Sequence, residues 1–298
     1  MAKICFRSSV GLSKPNLKKL DTINAIIEEY KEQGYKLTLR QLYYQLVSRD
    51  IIPNKVSEYA KLSGILVKGR MSGMVDWNAI EDRLRKPYLP YWVHDIPEAI
   101  NDTVEQYRLN RQQGQDTYIE LWVEKDALSG VLRSITSHYH INLMVNRGYS
   151  SCSAMFEAFR RLKRYADKGK KIIIFYLGDH DPSGLDMIRD VRDRLEEFGV
   201  NPKVIPIGLT MKQIKKYSPP PNPAKITDPR AKWYIEEFGA VSWEVDALNP
   251  KVLHALVRKN VEAVIDMDLF EKTIEKEKQD KEKLKEISED IEGEEEWN

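Results

Sequence analysis

The stretch Lys171–Asp190, "KIIIFYLGDHDPSGLDMIRD", decides how the chain is to be read. Ile172 to Leu177 are β-branched, aromatic and aliphatic, a run of strand length with no helical spacing of polar residues. The run breaks at Gly178; Asp179 and Asp181 follow one residue apart, then Pro182-Ser183-Gly184 and a helical pattern. In an open α/β sheet, ligands bind at the carboxyl ends of the strands. Residues i and i+2 of an extended chain point the same way. Two carboxylates held like that repel each other unless a cation lies between them, and hard oxygen ligands select Mg²⁺. Taken singly, Asp179 or Asp181 before Pro-Ser-Gly is equally a turn residue or a helix N-cap.

Outward from this stretch the pattern repeats. Strands are expected at "TYIELWV" (117–123), "INLMVN" (141–146), "KIIIFYL" (171–177) and "KVIPIGL" (203–209), with helices over 126–139, 153–169 and 184–199. A βαβαβαβ series of this kind gives an α/β fold, a mostly parallel sheet covered on both faces. Glu124 ends the first strand and converges on the Asp pair if the strands around "INLMVN" lie side by side. Mg²⁺ held by Glu124, Asp179 and Asp181 would suit phosphodiester chemistry.

The N-terminal third reads differently. "NLKKLDTINAIIEEYKEQGY" puts Leu20, Ile23, Ile27 and Tyr30 on one helical face and stops at Gly34. Thr38 with Gln41 is a capping box that opens a second helix, "LRQLYYQLVS". A turn at Pro53-Asn54 leads to a third helix, and "MVDW" (74–77) is expected as a short extended piece. Three helices and a strand of this kind resemble a winged helix-turn-helix. The expected organisation is a helical DNA-binding unit over 1–95, a linker over 96–115, the sheet domain over 116–210, and a Pro-rich loop with a charged helical extension over 211–298.

Composition sets the outer bounds. At 298 residues, with 42% hydrophobic and 31% charged, the chain suits a two-domain soluble protein. It shows no apolar run of membrane-spanning length and no signal peptide, so a cytoplasmic protein is expected. Cys5 and Cys152 are its only cysteines, which argues against a disulfide or zinc framework. The net charge of +1 conceals a basic first third and an acidic last helix. A basic module fits a polyanion partner, though a solvated surface looks the same.

"LWVEKDA" followed by "GDHDPSG" resembles the Toprim domain, the metal-binding fold of topoisomerases, primases and several nucleases. The "VEK" form, "RGYSS" (147–151) and "DHDPSG" together are most similar to the topoisomerase VI A subunit and its meiotic double-strand-break relatives, over about residues 116–209. The chain is shorter than those A subunits and has no GxxxxGK loop. Its size suits the stand-alone mini-A-type proteins.

The resemblance implies a nucleophilic tyrosine on the helical unit. On residue spacing alone, Leu39, Leu42, Tyr43 and Leu46 form the inward stripe, which puts Tyr43 in the core. Tyr44 turns to the polar side, where Arg40 one turn away favours phenolate and can hold a phosphate. The family motif, an Arg followed four residues later by the second of two aromatics, also selects Arg40 and Tyr44. The implied reaction is double-strand cleavage of DNA through a 5′-phosphotyrosyl link, with Glu124 exchanging a proton with the leaving hydroxyl. The resemblance further implies a homodimer whose sites are shared between subunits, and a separate ATPase subunit in relatives that pass strands. A Toprim nuclease using metal-bound water is the alternative, and a DNA-binding protein with a structural metal a third reading.

Lys55, Lys61, Lys68 and Arg70 of the third helix face outward in this reading, as DNA contacts, while Tyr59, Leu62 and Leu66 pack; Arg83, Arg85 and Lys86 extend the patch. His180 is placed either to touch phosphate or to serve as a turn residue. Asp246 is a further candidate for the site. The terminal helix is expected as a solvated element.

Overall fold

The computed structural model describes residues 4–8, 11–81, 90–224, 228 and 230–295. The chain opens with α1 (Lys14–Glu32), α2 (Leu39–Ser48) and α3 (Val56–Met71). Leu20, Ile23, Ile27 and Tyr30 are buried as their spacing requires, and Gly34, at φ +78°, turns the chain out of α1. The Thr38–Gln41 capping box is present in both directions. Gly69 lets α3 approach α1, since a Cβ there would lie 2.9 Å from Leu20 Cδ2. The "MVDW" segment forms no strand. A single parallel bridge pairs Leu37 with Ile80 instead.

Next come α4 (Ile96–Gln106), β1 (Thr117–Val123), α5 (Ser129–Tyr139), β2 (Asn142–Val145), α6 (Cys152–Ala166), β3 (Lys171–Leu177), α7 (Pro182–Glu197) and β4 (Lys203–Gly208). All four strands are parallel, in the order β2-β1-β3-β4. Alternation along the strands builds two cores. Ile119, Leu121, Val123, Ile173, Phe175 and Leu177 face one side, against α5 and Leu253, Val257 and Val261 of a later helix. Tyr118, Trp122, Ile172, Ile174 and Tyr176 face the other, against α6 and α7. Each such large side chain stabilises the fold by about 1.5–3 kcal/mol when fully buried. Glu120, fully buried on β1, is paired through both oxygens with Arg161 at 2.6 and 2.9 Å and accepts from Trp122 and Tyr118.

The chain finishes with α8 (Met211–Tyr217), β5 (Asn222–Pro223), α9 (Ala231–Phe238), β6 (Val241–Ser242), α10 (Pro250–Glu262) and α11 (Met267–Glu295). One expectation changes here. Segment 96–115 begins with α4, and the charged α11, expected as solvated, packs against it. Glu277 of α11 is buried, accepts from the Leu109 backbone N–H at 2.9 Å and pairs with Arg111 at 3.1 Å, while Tyr107 donates to Asp280. The helical unit is docked on the C-terminal part of the chain: Ala247 lies in the α1–α3 core, and Tyr35 hydrogen-bonds His254 at 3.0 Å.

Candidate active site

The site begins where β1 and β3 end together. Val123 is in register with Leu177, and the Glu124 N–H donates to the Leu177 carbonyl at 2.9 Å. Asp179 N–H then donates to Glu124 Oε2 at 3.0 Å. Glu124 and Asp179 therefore meet because their strands are direct neighbours. The "INLMVN" strand lies outside, at the sheet edge, and plays no part in joining them. Gly184 is required by this turn, since a Cβ there would stand 2.3 Å from the Asp179 carbonyl oxygen. Asp181 caps α7: its Oδ1 accepts from Gly184 N–H at 2.6 Å and from Ser183 Oγ at 2.9 Å. Its side chain nonetheless lines the same cleft as Glu124 and Asp179.

Lys125, the residue after Glu124, is the hub that the sequence reading did not single out. Its ammonium lies 2.7 Å from Asp179 Oδ2, 2.6 Å from Glu244 Oε2 and 3.1 Å from Asp246 Oδ1. Burial alone would depress Lys125, but Asp246, Asp179 and Glu244 raise it above its ordinary value, so it is firmly protonated. Glu244 and Asp246 come from the segment between β6 and α10, where the Val245 N–H also donates to Asp179 Oδ1 at 2.9 Å. The signal for this pair was present as "WEVDA", the same one-residue spacing of carboxylates as in "GDHD".

The tyrosines are arranged differently from expectation. Tyr43 is buried, donating to Asn54 Oδ1 at 2.9 Å. Tyr44 is not on an open polar side; at 6% exposure it is as buried as Tyr43 at 5%. The C-terminal segment covers it, and its hydroxyl lies between the Arg40 guanidinium, at 3.5 Å, and the Glu244 carboxylate. Nor does Arg40 turn Tyr44 toward phenolate. Burial, then Glu244 and Asp246, push the phenol well above its ordinary value and outweigh Arg40. Arg40 is engaged elsewhere, with Asp246 Oδ2 at 2.7 Å and Glu244 Oε2 at 2.5 Å.

One further expectation is corrected, and one of the two readings of His180 falls away. Arg70 does not face outward: it donates to the carbonyls of Trp77 and Ile80 and stacks on Trp77. Lys55, Lys61 and Lys68 are exposed, with Lys61 paired to Glu58. His180 is buried away from the cleft, bonded to Tyr234 at 2.8 Å and paired through its backbone with Trp243. Arg83, Arg85 and Lys86 lie outside the described residues.

Arg40, Tyr43, Tyr44, Glu124, Lys125, Asp179, Asp181 and Glu244 line one open cleft of about 600 Å³ between α2 and the strand ends. As placed, no three carboxylate, imidazole or thiol groups among the described residues form a ready metal cluster. The donor chemistry nevertheless fits a hard cation in this cleft. Five carboxylates (Glu124, Asp179, Asp181, Glu244, Asp246) meet two cations (Lys125 and Arg40). Burial raises Glu124 and Asp179 above the usual carboxylate range; Asp181 and Asp246 add to the rise in Glu124, and Glu124 and Asp246 to that in Asp179. Both oxygens of Asp179 are engaged, by Lys125 and by Val245 N–H. Glu124 Oε1 and Asp181 Oδ2 receive no hydrogen bond among the described residues.

Comparison with protein-family models, curated proteins and solved structures found no match to this chain. Among the described residues, no helix is long and apolar enough to cross a membrane.

Proposed function

We propose that this cleft cleaves DNA phosphodiester bonds by transesterification with Tyr44 as nucleophile, on a winged-helix and Toprim framework of the topoisomerase VI A type. The observation that carries the reading is that Tyr44 and Arg40 share one cleft with Glu124, Asp179 and Asp181. Tyr44 Oη would bond to phosphorus and the 3′ oxygen would leave, giving a 5′-phosphotyrosyl link and a 3′ hydroxyl. Arg40 would hold the phosphate, the Tyr44 phenol would give up its proton to cleft water as the Oη–P bond forms, and Glu124 would supply a proton to the leaving 3′ oxygen. Glu124 and Asp181 would hold Mg²⁺, with Asp179 fixing the turn between them, and the bound ion would supply Lewis-acid stabilisation of the phosphate. A homodimer would cut both strands, although Tyr44 already lines one cleft with the carboxylates of its own chain. Lys55, Lys61 and Lys68 would bind the DNA backbone. A separate ATPase subunit belongs to the strand-passing version of this reading.

One observation favours the nuclease alternative, in which water attacks and Tyr44 is structural: the Tyr44 hydroxyl is buried and its pKa is raised. Supercoiled plasmid, Mg²⁺ and protein, quenched with detergent and run with and without protease, separate the two. Breaks revealed only by protease, and lost in Tyr44→Phe, establish the transesterase. Free ends that survive Tyr44→Phe and vanish in Asp181→Asn establish the nuclease. Absence of cutting by the wild type removes both.

A further inference from the structure

Glu244 occupies a position built for another anion. Its Oε2 accepts from Arg40 Nη2 at 2.5 Å and from Lys125 Nζ at 2.6 Å, its Oε1 accepts from Asn222 Nδ2 at 3.3 Å, and the Tyr44 hydroxyl faces the same carboxylate. A guanidinium, an ammonium, an amide and a phenol thus converge on one pair of anionic oxygens. That is the donor set that recognises the non-bridging oxygens of a phosphate.

The two cations do not depend on Glu244 for their positions. Arg40 Nε is held by Asp246 Oδ2 at 2.7 Å, and Lys125 by Asp246 and Asp179. Asp246 has no exposed side-chain surface, whereas the Glu244 side chain keeps 24% of its own and lines the open cleft. One carboxylate is therefore a fixed clamp and the other sits where cleft solvent can reach it. Asn222, the amide donor, also hydrogen-bonds Asn54 at the turn before α3, so the wall of this position is tied to the helical unit.

We infer that Arg40, Lys125, Asn222 and the Tyr44 hydroxyl form a seat for a nucleic-acid phosphate, and that Glu244 fills the seat until the phosphate displaces it. This rests on the reading that the cleft takes DNA, and adds to it a built-in competitor. In the unbound protein Glu244 occupies the cleft-facing donors of both cations and shields Tyr44. A phosphodiester entering the cleft takes over the same donors, and Glu244 turns toward the opening.

Binding of a short fluorescent duplex, measured by anisotropy in EDTA, tests the seat without requiring cleavage. Glu244→Gln removes the competing charge and keeps the shape; Glu244→Ala also removes the amide oxygen that could still hold the cations. Both are expected to bind about tenfold more tightly than wild type, equivalent to about 1.4 kcal/mol. The salt dependence of log K should steepen by about 1. Adding Arg40→Gln to Glu244→Gln should erase the gain. Equal or weaker binding by both Glu244 variants, or a gain that persists in the double variant, overturns the inference. If no form binds duplex, titration with inorganic phosphate by calorimetry decides: heat seen in Glu244→Gln and lost in Glu244→Gln/Arg40→Gln keeps the seat and removes the DNA reading, and heat in neither overturns the seat. Tighter duplex binding with no cutting in Mg²⁺ leaves the seat standing and removes the cleavage reading.

Discussion

Lys125 Nζ lies 2.7 Å from Asp179 Oδ2, so the second residue past β1 holds the second residue past β3. The same ammonium reaches Glu244 and Asp246, and so ties both strand ends to the C-terminal segment. Breaking a buried ion pair by deleting one partner leaves the other charge uncompensated. Lys125→Met should therefore lower unfolding free energy by about 3–5 kcal/mol in urea denaturation. A loss below about 1 kcal/mol would show that the carboxylates around it do not carry their charges in the fold.

The open oxygens of Glu124 and Asp181 lead to a second expectation. A divalent ion that binds the folded state stabilises it by mass action, about 2.7 kcal/mol at a hundred times its dissociation constant. Mg²⁺ should raise the melting temperature of the wild type, and EDTA should reverse the shift. Glu124→Gln combined with Asp181→Asn should abolish it, because neutral side chains no longer reward the ion. An undiminished shift in the double variant would place the ion elsewhere.

How much of this was legible in the sequence follows from the range of the signals. The parallel sheet was readable because β1 and β3 are short apolar runs, and their alternation by two is local. The Thr38–Gln41 box and the Asp179–Asp181 spacing are local for the same reason. Burial of Tyr44 was not readable. Helical periodicity ranks the faces of α2, but the groups that cover Tyr44 are Glu244 and its neighbours, about two hundred residues away, with Arg40 and Asp246 separated by 206 positions. Arg70 was misread for a related reason: its partners are the carbonyls of Trp77 and Ile80, presented by a turn whose shape the helix pattern does not encode. The docking of α11 escaped notice because it relies on a buried carboxylate, Glu277, with Arg111, and on a face too polar to register as a stripe.

The corrected third helix makes a prediction for DNA binding. Lys55, Lys61 and Lys68 are exposed, so each change to Ala should weaken duplex binding similarly for all sequences and reduce the salt slope by about 1. Arg70→Ala should instead destabilise the fold, because two backbone carbonyls lose their donor and Trp77 loses its stacking partner. The check is a paired measurement of salt-dependent anisotropy and thermal melting. A reduced salt slope in Arg70→Ala with unchanged melting would return that residue to the DNA-binding surface.

His254 gives a pH dependence whose sign can be worked out. Its ring nitrogens face the Tyr35 hydroxyl at 3.0 Å, the Val131 carbonyl at 2.7 Å and the Ser134 hydroxyl at 3.3 Å. Burial lowers its pKa below the ordinary 6.5; the Val131 carbonyl opposes that shift, and the Arg258 charge adds to it. A depressed histidine stays neutral in the fold while the unfolded chain takes up a proton. Below pH 6.5 the unfolded state thus binds more protons, and this contribution to stability falls as pH falls, levelling off once the folded-state pKa is passed. The slope from one such group cannot exceed about 1.4 kcal/mol per pH unit. Glu124 and Asp179, with raised values, act in the opposite direction, so the informative quantity is the difference between two proteins. Unfolding free energies of wild type and His254→Gln, measured in urea from pH 7.5 to 5, should converge as the solution is acidified, because only the wild type loses the His254 contribution. His138 and His140 are also depressed and are common to both proteins, so they leave that difference unchanged. Curves that stay parallel across the range would mean that His254 titrates alike in the folded and unfolded chain.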